Sequence, residues 1–196
     1  MDDRTLRAYE AGAAAFADDW HQQDTPTDLQ SVVKCFFKSG TSADIGCGSG
    51  RDVAWLSDNG FPVIGYDASE GLLAQARRRY PHCDFRYAAL PDLTAIADGR
   101  FENVLCETVI MHLPYEEIEP AVRRLVSILR PGGVLYLTWR VTSGSDARDG
   151  QGRLYAAFEP DVVRYALADA NVLLSEEVVS ASSGKAIHRI VAYRKG

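Results

Sequence analysis

Residues 44–52 read Asp44-Ile45-Gly46-Cys47-Gly48-Ser49-Gly50-Arg51-Asp52, and this stretch decides the fold. Upstream, Ser42 to Gly46 reads as a short strand running into glycines; downstream, Arg51 to Asn59 reads as a helix closed by Gly60. Gly46, Gly48 and Gly50 therefore sit in a strand-to-helix turn. Absent side chains let the backbone turn tightly and let a ligand touch it, while the first turn of the helix offers free N–H groups. A glycine loop alone is a common feature, and the spacing adds to it. Asp67 ends the next strand, Phe61-Pro62-Val63-Ile64-Gly65-Tyr66, and stands 67 − 46 = 21 positions past the first glycine. An acid about 20 positions on is the expected partner of a ribose diol in a doubly wound sheet. One carboxylate can accept hydrogen bonds from both vicinal hydroxyls. The competing reading makes Asp67 a turn residue ahead of a helix capped by Ser69. Loop and acid together point to a cofactor that carries a nucleoside.

Outward from the loop, strand and helix alternate. The helix capped by Ser69, with Glu70 in its first turn, runs through Tyr80 and stops at Pro81. Cys83 to Ala88 and Phe101 to Glu107 read as strands. Ile118, Val122, Leu125 and Leu129 mark one face of a helix ended by Pro131-Gly132-Gly133, and Val134 to Trp139 is an apolar strand. This alternation implies βαβ units and a parallel sheet covered by helices on both faces. The tail differs: a helix over Pro160 to Asp169, then strands over Val172 to Ser180 and Ala186 to Tyr193, joined at Ser182-Ser183-Gly184 as an antiparallel hairpin. At the other end, Leu6, Tyr9, Ala13, Phe16 and Trp20 form one face of a helix, and a second helix covers Asp28 to Lys38. Residues 141–153 form a long polar, glycine-rich stretch that reads as a lid or a solvent loop.

Composition narrows the function. The chain has 196 residues, 46% hydrophobic and 24% charged, which suits one globular domain over 1–196. Its parts are a helical cap (1–39), a cofactor-binding core (40–140), and a tail of loop, helix and hairpin (141–196). Lys and Arg number 21 against 27 Asp and Glu, a net charge of −6 that argues against a broad nucleic-acid footprint. Cys35, Cys47, Cys83 and Cys106 form no CxxC pair, and the four histidines are dispersed, so neither a metal site nor a disulfide framework is expected. No apolar run could span a bilayer and MDDRTLRAYE is no signal segment, so the expected setting is the cytoplasm, with no membrane partner. Nothing in the sequence sets an oligomeric state.

DIGCGSGRD (44–52), VIGYDAS (63–69), FENVLCETVIMHLP (101–114) and LRPGGVLYLTWR (129–140) follow one another in an order that resembles the class I S-adenosylmethionine-dependent methyltransferases, in particular small stand-alone bacterial ones. The resemblance covers about residues 40–140. It implies a Rossmann-like α/β fold: a doubly wound seven-stranded sheet, mostly parallel with an antiparallel C-terminal hairpin. It also implies the cofactor S-adenosyl-L-methionine and the product S-adenosyl-L-homocysteine. Carried over by position, Gly46, Cys47, Gly48 and Gly50 pass under the methionine part, and Asp44 orders the loop. Asp67 takes the ribose hydroxyls, Ala68 packs on the adenine, and Ala89 and Leu90 line its pocket. Cys106 and Glu107 border the sulfonium and the methionine amine. Arg51 pairs with the cofactor carboxylate or with Asp52, and Tyr9 and Trp20 close over the cofactor or pack on the sheet. His112 is the candidate proton acceptor or else structural, and Trp139 and Arg140 are candidate substrate residues, Arg140 for an anion. The acceptor is expected at the mouth formed by these residues rather than on the hairpin.

The implied activity is in-line methyl transfer to an oxygen, sulfur or nitrogen of a small molecule. Positioning supplies most of the catalysis in such a displacement, so no catalytic dyad is required. Two other readings stand beside it. A binding module would keep the cofactor pocket without turnover. A nicotinamide oxidoreductase is opposed by Arg51, which occupies the third-glycine position of the dinucleotide fingerprint, and by the hairpin. Glu107-Thr108-Val109-Ile110 replaces the Asn/Asp-Pro-Pro-aromatic segment of relatives that methylate amide or base nitrogens.

Overall fold

The computed structural model describes residues 1–142 and 144–196; of the stretch read as a lid or solvent loop, position 143 lies outside the described residues. In chain order the helices are α1 (Asp3–Gln22), α2 (Thr27–Phe36), α3 (Arg51–Asp58), α4 (Glu70–Arg79), α5 (Tyr115–Ser127) and α6 (Pro160–Ala166). The strands are β1 (Ser42–Ile45), β2 (Val63–Asp67), β3 (Asp84–Tyr87), β4 (Phe101–Cys106), β5 (Leu129–Arg140), β6 (Ala147–Arg148), β7 (Leu154–Tyr155), β8 (Ala170–Val179) and β9 (Ala186–Arg194).

Seven strands form one sheet in the order β3-β2-β1-β4-β5-β9-β8. The first five are parallel, and β9 enters antiparallel between β5 and β8. This is a Rossmann-like α/β fold with an antiparallel C-terminal pair. Strand order reverses at β1, which has β2 on one side and β4 on the other, and ligands in such sheets sit beyond the carboxyl ends at this point. All of β1 is buried, as a central parallel strand covered on both faces should be.

Alternation along β5 divides the core. Leu135, Leu137 and Trp139 pack with Ile118, Val122 and Leu125 of α5, whereas Val134 and Tyr136 pack on the opposite face with Leu29 and Val33 of α2. The strand itself is longer than its apolar run. Pro131-Gly132-Gly133 lies inside β5 instead of ahead of it, and the preceding helix ends at Ser127. A register irregularity opposite Phe101 and Asn103 accommodates the extra residues.

The lid-or-loop stretch is neither free nor featureless in its described residues. β6 and β7 pair as a two-stranded ribbon that lies against α1. Arg148 forms an ion pair with Asp2 at 2.8 Å, and the Leu154 N–H donates to Thr5 Oγ1 at 2.8 Å. Arg153 stacks 4.6 Å over the Phe16 ring. At the other side of α1, Glu10 accepts a hydrogen bond from Gly71 N at 3.0 Å, which ties the helix to the start of α4. The N-terminal helix is thereby clamped over the carboxyl edge of the sheet. Among the described residues no helix is long and apolar enough to cross a membrane.

Candidate active site

β1 runs into the glycine loop, and Gly46 N and Cys47 N donate to Tyr66 O at 2.7 and 2.9 Å, fastening the loop to the end of β2. Gly46 and Gly48 have φ of +78° and +53°, the left-handed region that side chains disfavour. A Cβ at Gly46 would collide with Val109, and one at Gly48 would stand 2.8 Å from Trp20 Cζ3. The loop is thus a bare cradle roofed by Val109 and Trp20.

Four carboxylates surround the cradle. Asp67 Oδ2 accepts from Gly48 N and Oδ1 from Ser69 N, both at 2.8 Å, so the acid both orders the loop and caps the turn into α4. A carboxylate has about four acceptor sites, and these two bonds leave two for a ligand. Burial pushes the Asp67 pKa up to about 6. Glu107 accepts from Thr138 Oγ1 at 2.6 Å, and that hydroxyl accepts from Thr108 N at 2.9 Å. Burial pushes Glu107 up to about 7. Asp44 is driven well up by burial, with Asp52 and Asp67 adding repulsion. Arg51 is held by Asp52 through bonds of 2.9 and 3.0 Å, the second of the two roles that the sequence leaves open for it.

These groups open onto one cavity of about 1230 Å³ of empty space, its open mouth included. Asp44, Gly46, Cys47, Gly48, Arg51, Asp67, Ala68, Leu90 and Glu107 line it at the loop end, with Tyr9 and Trp20 from α1. His112 and Arg140 line it further along, together with Arg153, Tyr155 and the hairpin-turn residues Ser182 and Ser183. The hairpin tip thus borders the cavity as well.

Four expected site residues face elsewhere. Trp139 is 1% exposed and stacks with Phe158 and His188 away from the cavity lining, whereas Arg140 lines it, as neighbouring strand residues alternate. Cys106 is in the core beneath α5 for the same reason, with Glu107 on the cavity side. Gly50 lies behind the loop, where a Cβ would meet the Phe85 ring at 2.7 Å; its bareness leaves room for that ring at the start of α3. Ala88, one residue before Ala89, lines the cavity beside Leu90. Arg153, Tyr155 and Thr138 are residues that sequence reasoning missed. They come from a polar stretch without a motif and from a strand partner 31 residues away, and no local pattern signals either.

His112 is 4% exposed and sits in a single 3-10 turn, Ile110–His112. Its Nδ1 lies 2.5 Å from Leu154 O, and a carbonyl only accepts, so Nδ1 carries the proton. The bare Nε2 then accepts from the Tyr9 hydroxyl at 2.9 Å. Burial lowers the His112 pKa to about 4, and Arg153 and Arg140 act in the same direction. Burial raises Tyr9 to about 12, which keeps its hydroxyl protonated as the donor. Both ring nitrogens are thus committed, to α1 and to β7. His112→Ala would strand the Tyr9 hydroxyl and the Leu154 carbonyl and remove the edge contacts with the Tyr9 and Tyr155 rings. The expected loss is about 2 to 4 kcal/mol, or roughly 4 to 16 °C in melting temperature for a chain of this size. Calorimetric melting checks this; an unchanged melting temperature with lost turnover would instead make His112 a chemical participant.

The cradle tests for fit. Bare backbone at Gly46 and Gly48, spare acceptor sites on Asp67, and an acidic surround with a single paired guanidinium suit a ligand that carries a ribose and positive charge. S-adenosylmethionine, with its ribose diol, sulfonium and ammonium, matches that donor set.

The family model for a methyltransferase domain matches residues 43–133, which contain the loop, Asp67, Glu107 and His112. The ubiquinone biosynthesis O-methyltransferase of Xanthomonas euvesicatoria pv. vesicatoria is 28% identical over 139 residues, 64% of this chain and 57% of that protein. The trans-aconitate 2-methyltransferase of Variovorax paradoxus is 36% identical over 97 residues, 47% of this chain and 35% of that protein. The chain thus spans little more than half the length of the first relative and about a third of the second. Among solved structures, the 1,6-didemethyltoxoflavin-N1-methyltransferase of Burkholderia thailandensis, determined with 1,6-didemethyltoxoflavin and S-adenosylhomocysteine, has a TM-score of 0.78 at 20% identity, covering 98% of this chain and 88% of that one. That likeness concerns the fold, and it extends through α1 and the terminal hairpin. Strand order, cradle and matched segment agree: residues 43–133 match the methyltransferase-domain family, and the chain is similar in sequence and in fold to S-adenosylmethionine-dependent methyltransferases.

Proposed function

We propose that the chain transfers a methyl group from S-adenosylmethionine to an oxygen, sulfur or nitrogen atom of a small molecule by in-line displacement. The carrying observation is that the glycine cradle with Asp67 and the mouth with Arg140 and His112 belong to one continuous cavity. Bound at the cradle, S-adenosylmethionine supplies a methyl group on a positive sulfur, which keeps the carbon–sulfur electron pair as the acceptor atom takes the carbon. The residues of the chain bind, orient and exclude water. Asp67 takes the ribose hydroxyls and Ala68, Ala88 and Leu90 the adenine. Glu107 offers a carboxylate to the positive groups of the cofactor, Asp44 orders the loop, and the cradle backbone of Gly46 to Gly48 leaves room for the ligand. Tyr9 and Trp20 on the clamped α1 cover the cavity and keep it dry, which strengthens charge interactions inside. Holding the reacting groups in line can supply roughly 7 to 11 kcal/mol.

A relative that is named an O-methyltransferase supports an oxygen acceptor, and the net charge of −6 supports a small molecule over nucleic acid. The proposed setting is a reducing cytoplasm, which suits four free cysteines. The test is formation of S-adenosylhomocysteine from S-adenosylmethionine over a panel of phenols, carboxylates, thiols and amines. Turnover with any of these supports the proposal. Tight cofactor binding without turnover on a panel this broad would favour a module that binds and does not catalyse.

Cofactor binding should depend on pH. The ribose hydroxyls need the ionised Asp67, whose pKa in the free protein is about 6. Above that value the site is ready; below it a proton must leave before the ligand binds. Affinity for S-adenosylhomocysteine should therefore fall by at least about tenfold between pH 8 and pH 5 from Asp67 alone, with Glu107, at about 7, adding to the fall. Titration calorimetry across that range checks it; an affinity that is flat or rises toward pH 5 contradicts it.

A further inference from the structure

On the methyl-transfer reading just given, we infer that the acceptor is an organic anion, a carboxylate or similar oxyanion on a flat apolar body, whose charge is held by Arg140. Charge in the cavity is divided. The carboxylates gather at the glycine loop, and the mouth carries Arg140 and Arg153. The two cations differ. Arg153 is neutralised by Asp149 at 2.7 Å and stacked on the rings of Tyr9 and Phe16. Arg140 is half-buried on the cavity wall, its guanidinium 5.4 Å above the Tyr155 ring, and among the described residues it makes no hydrogen bond and no ion pair. A guanidinium carries five donors in a fork that matches a carboxylate. Held over an aromatic face on the wall of a cavity, with no protein partner among the described residues, it is set to take an anion from the ligand.

Two further features of the mouth agree. Tyr9 and Tyr155, both against His112, give it aromatic walls, which favour a flat body, and Ser182 and Ser183 at the hairpin tip add small polar groups beside it. Secondly, the one imidazole there is not placed to receive a proton. Both nitrogens of His112 are engaged, by Leu154 O and the Tyr9 hydroxyl, and two guanidiniums lie near it. An acceptor that arrives ionised brings its electron pair and leaves no proton to be placed, so the absence of a ready base at the mouth costs it nothing. A neutral phenol or an ammonium would need one.

The experiment uses the full chain saturated with S-adenosylhomocysteine, titrated calorimetrically with sodium benzoate and, at matched ionic strength, with benzamide, its neutral isostere. Benzoate should bind at least about tenfold more tightly than benzamide, as charge-assisted hydrogen bonds imply. Arg140→Gln should erase that preference while leaving affinity for S-adenosylhomocysteine and the melting temperature unchanged; Arg140→Lys should retain part of it. Benzoate that does not bind, that binds no better than benzamide, or that keeps its preference in Arg140→Gln overturns the inference and leaves the cofactor site intact. Failure of S-adenosylhomocysteine to bind in the first step would overturn the methyl-transfer reading itself.

Discussion

Gly48→Val should abolish S-adenosylhomocysteine binding, a loss of more than about 100-fold. Two effects combine at this position. The backbone sits at φ +53°, where a β-branched residue is a strained outlier. The new Cβ would also stand 2.8 Å from Trp20 Cζ3, inside a roof whose Trp20 is already stacked on Phe16 at 5.7 Å and packed against Tyr9. Either the loop or the roof must move, and both border the space proposed for the cofactor. Gly60→Val separates strain from obstruction. Gly60 has φ +84° yet nothing within 4 Å of an added Cβ, so this variant should lose stability and keep its affinity. Calorimetric titration of the two folded variants reads the difference; normal affinity in Gly48→Val would place the cofactor away from the loop.

Asp67→Ala should weaken the same binding by roughly 10- to 150-fold, the worth of charge-assisted hydrogen bonds to one carboxylate. The structure gives the substitution a second consequence. Asp67 accepts from Gly48 N and Ser69 N, so its removal leaves the loop and the start of α4 without the group that joins them. The fold should survive, because the Ser69 hydroxyl caps α4 at Leu72 N without help from this carboxylate. Asp67→Asn, which keeps one acceptor oxygen, should lose less. Affinity unchanged in Asp67→Ala would contradict the ribose assignment.

The parts of this fold that rest on local pattern were legible. The strand–glycine–helix unit, Asp67 at the end of β2, the alternating elements and the terminal hairpin all follow from spacings of a few residues, and the sheet places them as expected. What was not legible depends on contacts between distant segments. Arg148 finds Asp2 and Leu154 finds Thr5 from 146 and 149 residues away, so a polar stretch with no motif becomes a ribbon that clamps α1. Thr138 is an ordinary strand residue until pairing of β4 with β5 brings it beneath Glu107. Trp139 and Cys106 fail for a different reason. They are placed in the right strands, but the facing of a strand residue is decided by a single step of alternation, and the sequence of an all-apolar strand does not show which step is inward. For Arg51 the sequence leaves open the cofactor carboxylate and Asp52, and the structure shows the pair with Asp52.

The measurement that bears most directly on the whole account is calorimetric titration of the full chain with S-adenosylhomocysteine and, separately, with NAD. The account predicts one saturable site for S-adenosylhomocysteine, absent in Gly48→Val, and no binding heat with NAD. Saturable binding of NAD with none of S-adenosylhomocysteine would contradict it.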